Sequence, residues 1–305
     1  MDNPQIALVP TQVASPPVET LVRKPRGLLS DTFGRVRKNP GAMAGLVVLI
    51  LIVLIAIFAP LVAPYDPIRQ NTQLIRTGPS LDHPFGTDSF GRDVLSRVMY
   101  GGRYSLPVGL VAVAIASFFG VLAGLAAGYY GRWVDSIIMR IVDMMLAFPG
   151  ILLVMAIVAI LGGSLLNLMI AVGLSSIPDY TRVVRGSVLA VRESEYITAA
   201  RVLGTSNRSI MLKHILPNIL PPIIVLATLG IAGAIILGST LSFLGLGIQP
   251  PTPEWGSMLS DGRTILRNSW WVSFFPGLAI MLTVLAINLL GDGLRDALDP
   301  RLRNR

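Results

Sequence analysis

Two histidines, three lysines and no cysteine are what this chain offers for nucleophilic or metal chemistry. Without cysteine there is no thiol nucleophile, no disulfide and no thiolate-bound metal. His83 and His214 lie far apart and form no metal-spaced pair. His83 does stand near Asp88 and Ser89, the residue types of a hydrolytic triad, but no nucleophile-elbow context surrounds them. Ordering a loop is the plainer role. A phosphate-binding loop needs Gly-x4-Gly-Lys-Ser/Thr, because backbone amides and a lysine must cradle the phosphates. Lys24, Lys38 and Lys213 are followed by Pro25, Asn39 and His214, so none can serve. No catalytic residue, cofactor site or metal ligand is assigned to this chain.

A different kind of chemistry, that of a contact surface, is suggested by the polar and basic island between two long apolar runs at residues 196–217. Residues 193–203 are good helix formers, with Glu195 early and Arg201 late, which suits the helix dipole. Gly204 can supply the left-handed conformation that stops such a helix. Pro217, Pro221 and Pro222 then redirect the chain. A short helix, a sharp turn and a return make a mechanical knob, and Ala199 and Ala200 are small enough to seat in a partner's groove. An ordinary loop with a helix in it is the bland alternative.

The elements that must position this knob are membrane spans. The chain has 305 residues, 52% of them hydrophobic and only 14% charged. A soluble domain carries about a quarter charged residues, so a soluble enzyme is excluded. Six spans are predicted, at about 42–63, 104–128, 137–161, 165–184, 219–245 and 272–292, each near the roughly 20 residues that cross a bilayer. The third and fourth are separated by a tight turn at Gly162, Gly163 and Ser164. The first run is too long for a cleaved signal and is expected to remain as a span. Residues 1–27 read as a disordered tail with five prolines. Residues 28–38 read as a short helix on the membrane surface, with Leu29, Phe33 and Val36 on one face, or as a simple basic anchor. The expected organisation is a tail at 1–40, a six-span membrane domain at 41–293 and a second tail at 294–305.

Charge sets the orientation. With both termini inside, the cytoplasmic segments hold eighteen Lys and Arg and the opposite side holds seven. The positive-inside rule then places residues 185–218 in the cytoplasm. The net charge of +8 lies beside the spans and not in a long basic run, so nucleic acid is not a partner. Within the spans, Arg140 and Asp143, and Asp179 and Arg182, are spaced to pair locally on one helix face. Ala116, Gly120, Gly124 and Gly128 form a small-residue face that lets another helix approach closely. Gly238, Ser239 and Thr240, with Asp143, are candidates to line a passage; packing explains the first three equally well. Tryptophans and tyrosines near span ends fit an aromatic belt.

Several motifs now agree. Ala199, Ala200, Gly204, Leu216 and Pro217 fall on the Glu-Ala-Ala-x3-Gly spacing, followed nine residues later by an apolar-x-Leu-Pro ending, of ABC importer permeases. Thr198 stands where Glu is usual and His214 where an apolar residue is. The segments 83–97, 243–256 and 290–301 resemble the dipeptide/oligopeptide/nickel branch, C-type subunit, so the resemblance spans nearly everything after residue 38. It implies an all-α membrane protein with six transmembrane helices in the type I ABC importer permease fold. It further implies that Glu195, Thr198, Ala199, Ala200, Arg201, Gly204, His214, Leu216 and Pro217 couple to an ATPase. The partners implied are a second homologous permease subunit, two ABC ATPase subunits carrying ATP and magnesium, and an extracytoplasmic solute-binding protein, all at a prokaryotic cytoplasmic (inner) membrane. A gradient-driven secondary carrier is the rival, but no unpaired acid lies near a span's midpoint and no repeat of half-spans is evident. A membrane-embedded enzyme would need polar catalytic groups at membrane depth, and an exporter would use other loop patterns.

Overall fold

The computed structural model describes residues 34–298, and the fold among them is helical. Nine principal helices follow in order: α1 (Pro40–Val62), α2 (Val94–Tyr130), α3 (Arg132–Leu146), α4 (Gly150–Leu161), α5 (Leu165–Arg192), α6 (Glu195–Val202), α7 (Leu216–Phe243), α8 (Trp255–Arg263) and α9 (Trp271–Leu298). The disordered tail expected at 1–27, and most of the surface helix expected at 28–38, lie outside the described residues.

The predicted spans are corrected in three ways. What reads as a single third span is two helices, α3 and α4, bent by 91°. Pro149 lies at the bend and has no amide to continue the hydrogen-bond ladder. At 12 residues, α4 is roughly 18 Å long, short of the ~30 Å hydrocarbon core. Second, α2 begins at Val94, ten residues earlier than expected, with Asp93 as its N-cap. Third, α5 runs on to Arg192 and α9 to Leu298, past the expected ends of their spans. Among the described residues four helices are long and apolar enough to cross a membrane alone, or five if the bent pair is one span. The 28-residue α5 has the length of a span but is diluted by Asp179, Arg182, Arg185 and Arg192.

That dilution is tolerated because α5 packs against α2 along much of its length. A Cβ on Gly124 would approach the Val184 Cβ to 2.7 Å, and one on Gly128 the Val188 Cβ to 2.7 Å, with Gly120 facing Tyr180 one turn earlier. The small-residue face of α2 is thus used within the chain, where it brings two backbones into contact. Ala112, Ala116, Val154, Val158, Leu168 and Val172 form the middle of the core across α2, α4 and α5. A second cluster joins Val184 and Val188 to Ile197, Ala200, Ile210, Ile215 and Ile219, fixing α6 and its return to one end of the bundle. At the opposite end, residues 63–93 and 244–270 fold into a cap around Trp255, Met258 and Trp271.

Candidate functional site

The 195–217 segment projects from one end of the bundle as a helix, a stop and a return. Glu195 lies in the first turn of α6 and Arg201 in the last, as dipole complementarity favours. The stop is a left-handed cap: Gly204 has φ +77°, and the Thr205 amide donates to the Ala200 carbonyl at 3.0 Å. Ser206 then caps a single turn, Asn207–Ser209. Six residues, Ile210–Ile215, adopt the wider π-helical register before α7 begins. Pro217 cannot donate to the carbonyl four residues back, so the turn leading into it gains nothing from the α register.

Exposure divides the nine expected residues. Glu195, Thr198, Ala199, Arg201 and Gly204 share the outer surface of the knob. Ala200 does not: it is 8% exposed and turns inward beside Ile197. It seats in this chain's own core and not against another surface. His214 and Leu216 are half-buried in the return and Pro217 is exposed, so these three frame the base of the knob. Two residues that sequence spacing left unmarked dominate the tip. Val202 and Leu203 are each 83% exposed, although both are apolar.

The knob is bolted to the bundle by two sets of polar contacts, and Ile197 and Ala200 pack on Val184 and Val188 of α5 beside a further tie between α5 and α2. Tyr129, at the end of α2, places its Oη 2.7 Å from Asn207 Oδ1, and the Arg201 guanidinium lies 5.6 Å from the Tyr129 ring centroid. Arg192 Nη1 donates to the Gly128 carbonyl at 2.9 Å. Asn218 Nδ2 donates to the Tyr196 hydroxyl at 3.1 Å and to the His214 carbonyl at 2.7 Å. The knob is thus tied to α2, α5 and α7. Asn218 was within reach of the sequence, because it directly follows the Leu216-Pro217 ending.

The charges in and beside the spans pair between helices and not locally. Arg182 on α5 binds Asp143 on α3 at 2.6 Å, and Arg185 grips Asp135 with two nitrogens, one at 2.7 Å. Among the described residues, Arg140 and Asp179 form no ion pair. Of the passage candidates, Gly238 and Ser239 are both buried within this chain. A Cβ on Gly238 would meet Val108 at 2.7 Å, and Ser239 packs under Gly256. Thr240 donates to the Ile236 carbonyl of its own helix at 2.8 Å. Of the passage candidates only Asp143 has a largely exposed side chain, and Arg182 occupies it.

In the cap, His83 pairs with a different acid from the one its sequence neighbours suggest. His83 Nδ1 lies 2.9 Å from Asp93 Oδ1, not from Asp88, and Asp93 Oδ2 accepts from the Ser96 amide and hydroxyl at 2.7 Å each. Histidine, aspartate and serine here tie a loop to the start of α2. Asp88 Oδ2 binds Arg92 Nε at 2.6 Å, and Arg97 Nη1 donates to the carbonyls of Pro67 and Pro251 at 3.0 and 3.2 Å. Glu254 caps α8, accepting from the Gly256 and Ser257 amides at 2.9 and 2.8 Å and from Ser105 Oγ at 3.1 Å. Burial pushes the Glu254 carboxyl above the ordinary range, against the pull of those donors. Asp261 is also raised by burial, against the pull of Arg92 and Arg97.

Comparison with known proteins points one way. Residues 120–304 match the model for "binding-protein-dependent transport system inner membrane component", and residues 27–79 match "N-terminal TM domain of oligopeptide transport permease C". A dipeptide transport system permease protein, DppC, of Alkalihalophilus pseudofirmus is 52% identical over 274 residues, 90% of each chain. A di/tripeptide transport system permease of Pseudomonas aeruginosa is 48% identical over 87% of this chain and 90% of its own. A glutathione transport system permease, GsiD, of Escherichia coli is 50% identical over 90% of each. Among solved structures, an inward-facing MetNI methionine ABC transporter chain is similar with a TM-score of 0.56, at 19% identity. The match covers 67% of this chain and 96% of that one.

Proposed function

The chain belongs to the family of binding-protein-dependent transport system inner membrane components, and from that premise we propose that it is one permease subunit of an ATP-driven importer for peptides or related small solutes. It works beside a second, homologous permease, two ATPase subunits that hold ATP and magnesium, and a solute-binding protein outside. Both termini and the 195–217 knob face the cytoplasm of a prokaryotic inner membrane, as the distribution of eighteen cations against seven favours.

One observation carries the coupling role: an apolar tip, Val202 and Leu203, stands exposed at the water-facing end of a helix bolted to three others. Exposed apolar surface rimmed by polar residues marks a contact site. Burying two such side chains in a groove contributes about 1.5–3 kcal/mol each. In the proposed cycle, ATP binding closes the ATPase pair and moves the tip. Tyr129, Asn218 and the packing of Ile197 on α5 carry the displacement to α2, α5 and α7, and the pathway turns from inward-open to outward-open. Only a difference in contact free energy between the two states can drive that change, and the tip is where this chain supplies it. Peptide is favoured as cargo by the names of the relatives.

The test is recovery of the chain from native membranes in mild detergent, with identification of what remains bound and uptake assayed in parallel. A second permease and P-loop ATPases are expected to come with it. Gly204→Asp, which places an acid beside Leu203 at a positive φ, is expected to abolish uptake while leaving membrane insertion intact. Normal uptake by that variant, or a transport-active chain recovered alone, would overturn the reading.

A further inference from the structure

A groove of about 610 Å³ runs lengthwise between α1, α2, α7 and α9. Its walls include Leu49, Val53, Leu106, Leu110, Ile231 and Ile287. Two polar side chains line it. Thr228 is spent on its own helix, donating to the Ile224 carbonyl at 2.9 Å. The other, Arg103, is exposed, lies with its guanidinium 5.9 Å from the Tyr100 ring centroid, and forms no ion pair among the described residues. It stands at the cap end of the groove, one helical turn from Tyr100. The Arg103-to-Leu110 wall covers roughly the first 10 Å and the Ile287-to-Leu294 wall roughly the next 10 Å, at 1.5 Å per residue.

We propose that this groove is a phospholipid site: it seats one acyl chain of an anionic lipid whose phosphate is held by Arg103. Shape and charge both favour that occupant. A cavity of 610 Å³ spread over roughly 20 Å is a narrow slot. An extended hydrocarbon chain fits the slot. Below Arg103 the lining is apolar apart from Thr228, whose hydroxyl is spent on its own helix, so it offers water little to bind. Arginine keeps its charge at the interface while its stem lies along apolar surface, and Tyr100 beside it is of the type enriched at that level. A lone guanidinium at the head of an apolar slot complements a phosphate at the head of an acyl chain. On the orientation proposed above, the lipid belongs to the outer leaflet; the site itself requires only that the chain is embedded in a membrane. One cation near a membrane surface favours an anionic over a neutral lipid by about fivefold.

The test uses the assembled transporter in nanodiscs. Leu110→Cys introduces the single cysteine of this chain and is labelled with bimane. Phosphatidylglycerol or phosphatidylcholine with brominated acyl chains is then titrated as quencher. We expect phosphatidylglycerol to quench about fivefold more effectively, and Arg103→Gln, which keeps the length but not the charge, to erase the difference. Equal quenching by both lipids in the otherwise native chain would reduce the groove to ordinary bilayer contact. No quenching by either, with the introduced thiol cross-linking to the second permease, would assign the groove to a partner helix. Either result overturns the lipid site, while retention of the ATPase subunits in the same sample reports separately on the transport reading.

Discussion

The two ends of this molecule handle polar and apolar groups in opposite ways. At the cap end, charges are inside: Asp88, Arg92, Asp93, Arg97 and Glu254 are each no more than 3% exposed. At the knob end, apolar groups are outside, with Val202 and Leu203 at 83%. The cap closes its hydrogen bonds within the chain almost completely; among the described residues, only Arg92 Nη2 and Ser242 Oγ are buried without one. Such a region is over-determined and holds its shape alone. Among the described residues nothing covers the apolar tip of the knob. On the proposed reading another surface covers it, and the contrast is what a switching subunit needs, because motion must enter somewhere and be resisted elsewhere.

The sharpest way to break this contrast is to unpair the cap. Arg97→Ala would remove one of the two arginines that face Asp88 and leave the Pro67 and Pro251 carbonyls without their donor. A buried acceptor left unpaired costs about 1–3 kcal/mol. We expect a lower thermal midpoint and poor recovery of the purified chain, with the loss appearing before any question of transport arises. An unchanged midpoint would mean the cap is not over-determined. At the other end, Val202→Asp with Leu203→Asp should leave the thermal midpoint of the isolated chain unchanged, since neither side chain packs in its core. The same pair should weaken ATPase retention at least tenfold, from about 1.5–3 kcal/mol lost at each position. Retention equal to the native chain would show that the tip is not the contact.

A smaller effect sharpens the comparison within the knob itself. Tyr129→Phe keeps the ring under Arg201 and deletes the hydrogen bond with Asn207. One such bond is worth about 0.5–1.5 kcal/mol. Amide exchange over residues 195–207 should therefore quicken several-fold while exchange in the cap stays as it was. If the whole bundle quickened together, the knob would be part of one cooperative unit and not a lever attached to it.

The sequence reveals these regions unequally, for physical reasons. The contact of α2 with α5 was readable because Gly120, Gly124 and Gly128 recur every four residues, and a helix turns that spacing into one face. The stop at Gly204 was readable because its chemistry is local to one turn. The bend at Pro149 was missed because hydrophobic runs on its two sides join into a plausible span, and apolarity carries no information about direction. The cap was missed for a stronger reason. Charged residues in a Pro- and Gly-rich loop read as solvated, whereas Glu254 meets Ser105, and Arg97 meets Pro251, only through tertiary folding. Val202 and Leu203 were overlooked because motif spacing drew attention to the alanines; that Ala200 turns inward, and so leaves its two larger neighbours outside, depends on how the helix is rotated against Ile210 and Ile215.

The smallest expected effect is one of pH, and it belongs to the cap. Glu254 and Asp261 lie before and on α8, and burial raises both carboxyls above their ordinary values. Between the unfolded value, about 4, and the raised folded value, the native state binds more protons than the unfolded one. Stability then falls as pH rises through that window. What these two groups contribute is present in full below the unfolded value and declines up to the folded one. Corrected for intrinsic exchange, amides of residues 254–263 should be better protected at mildly acidic than at mildly alkaline pH. Protection that grew with pH instead would mean that the pull of Arg92 and Arg97 on Asp261, and of the amide donors on Glu254, outweighs desolvation. The cap would then be held by its charges and not merely in spite of burying them.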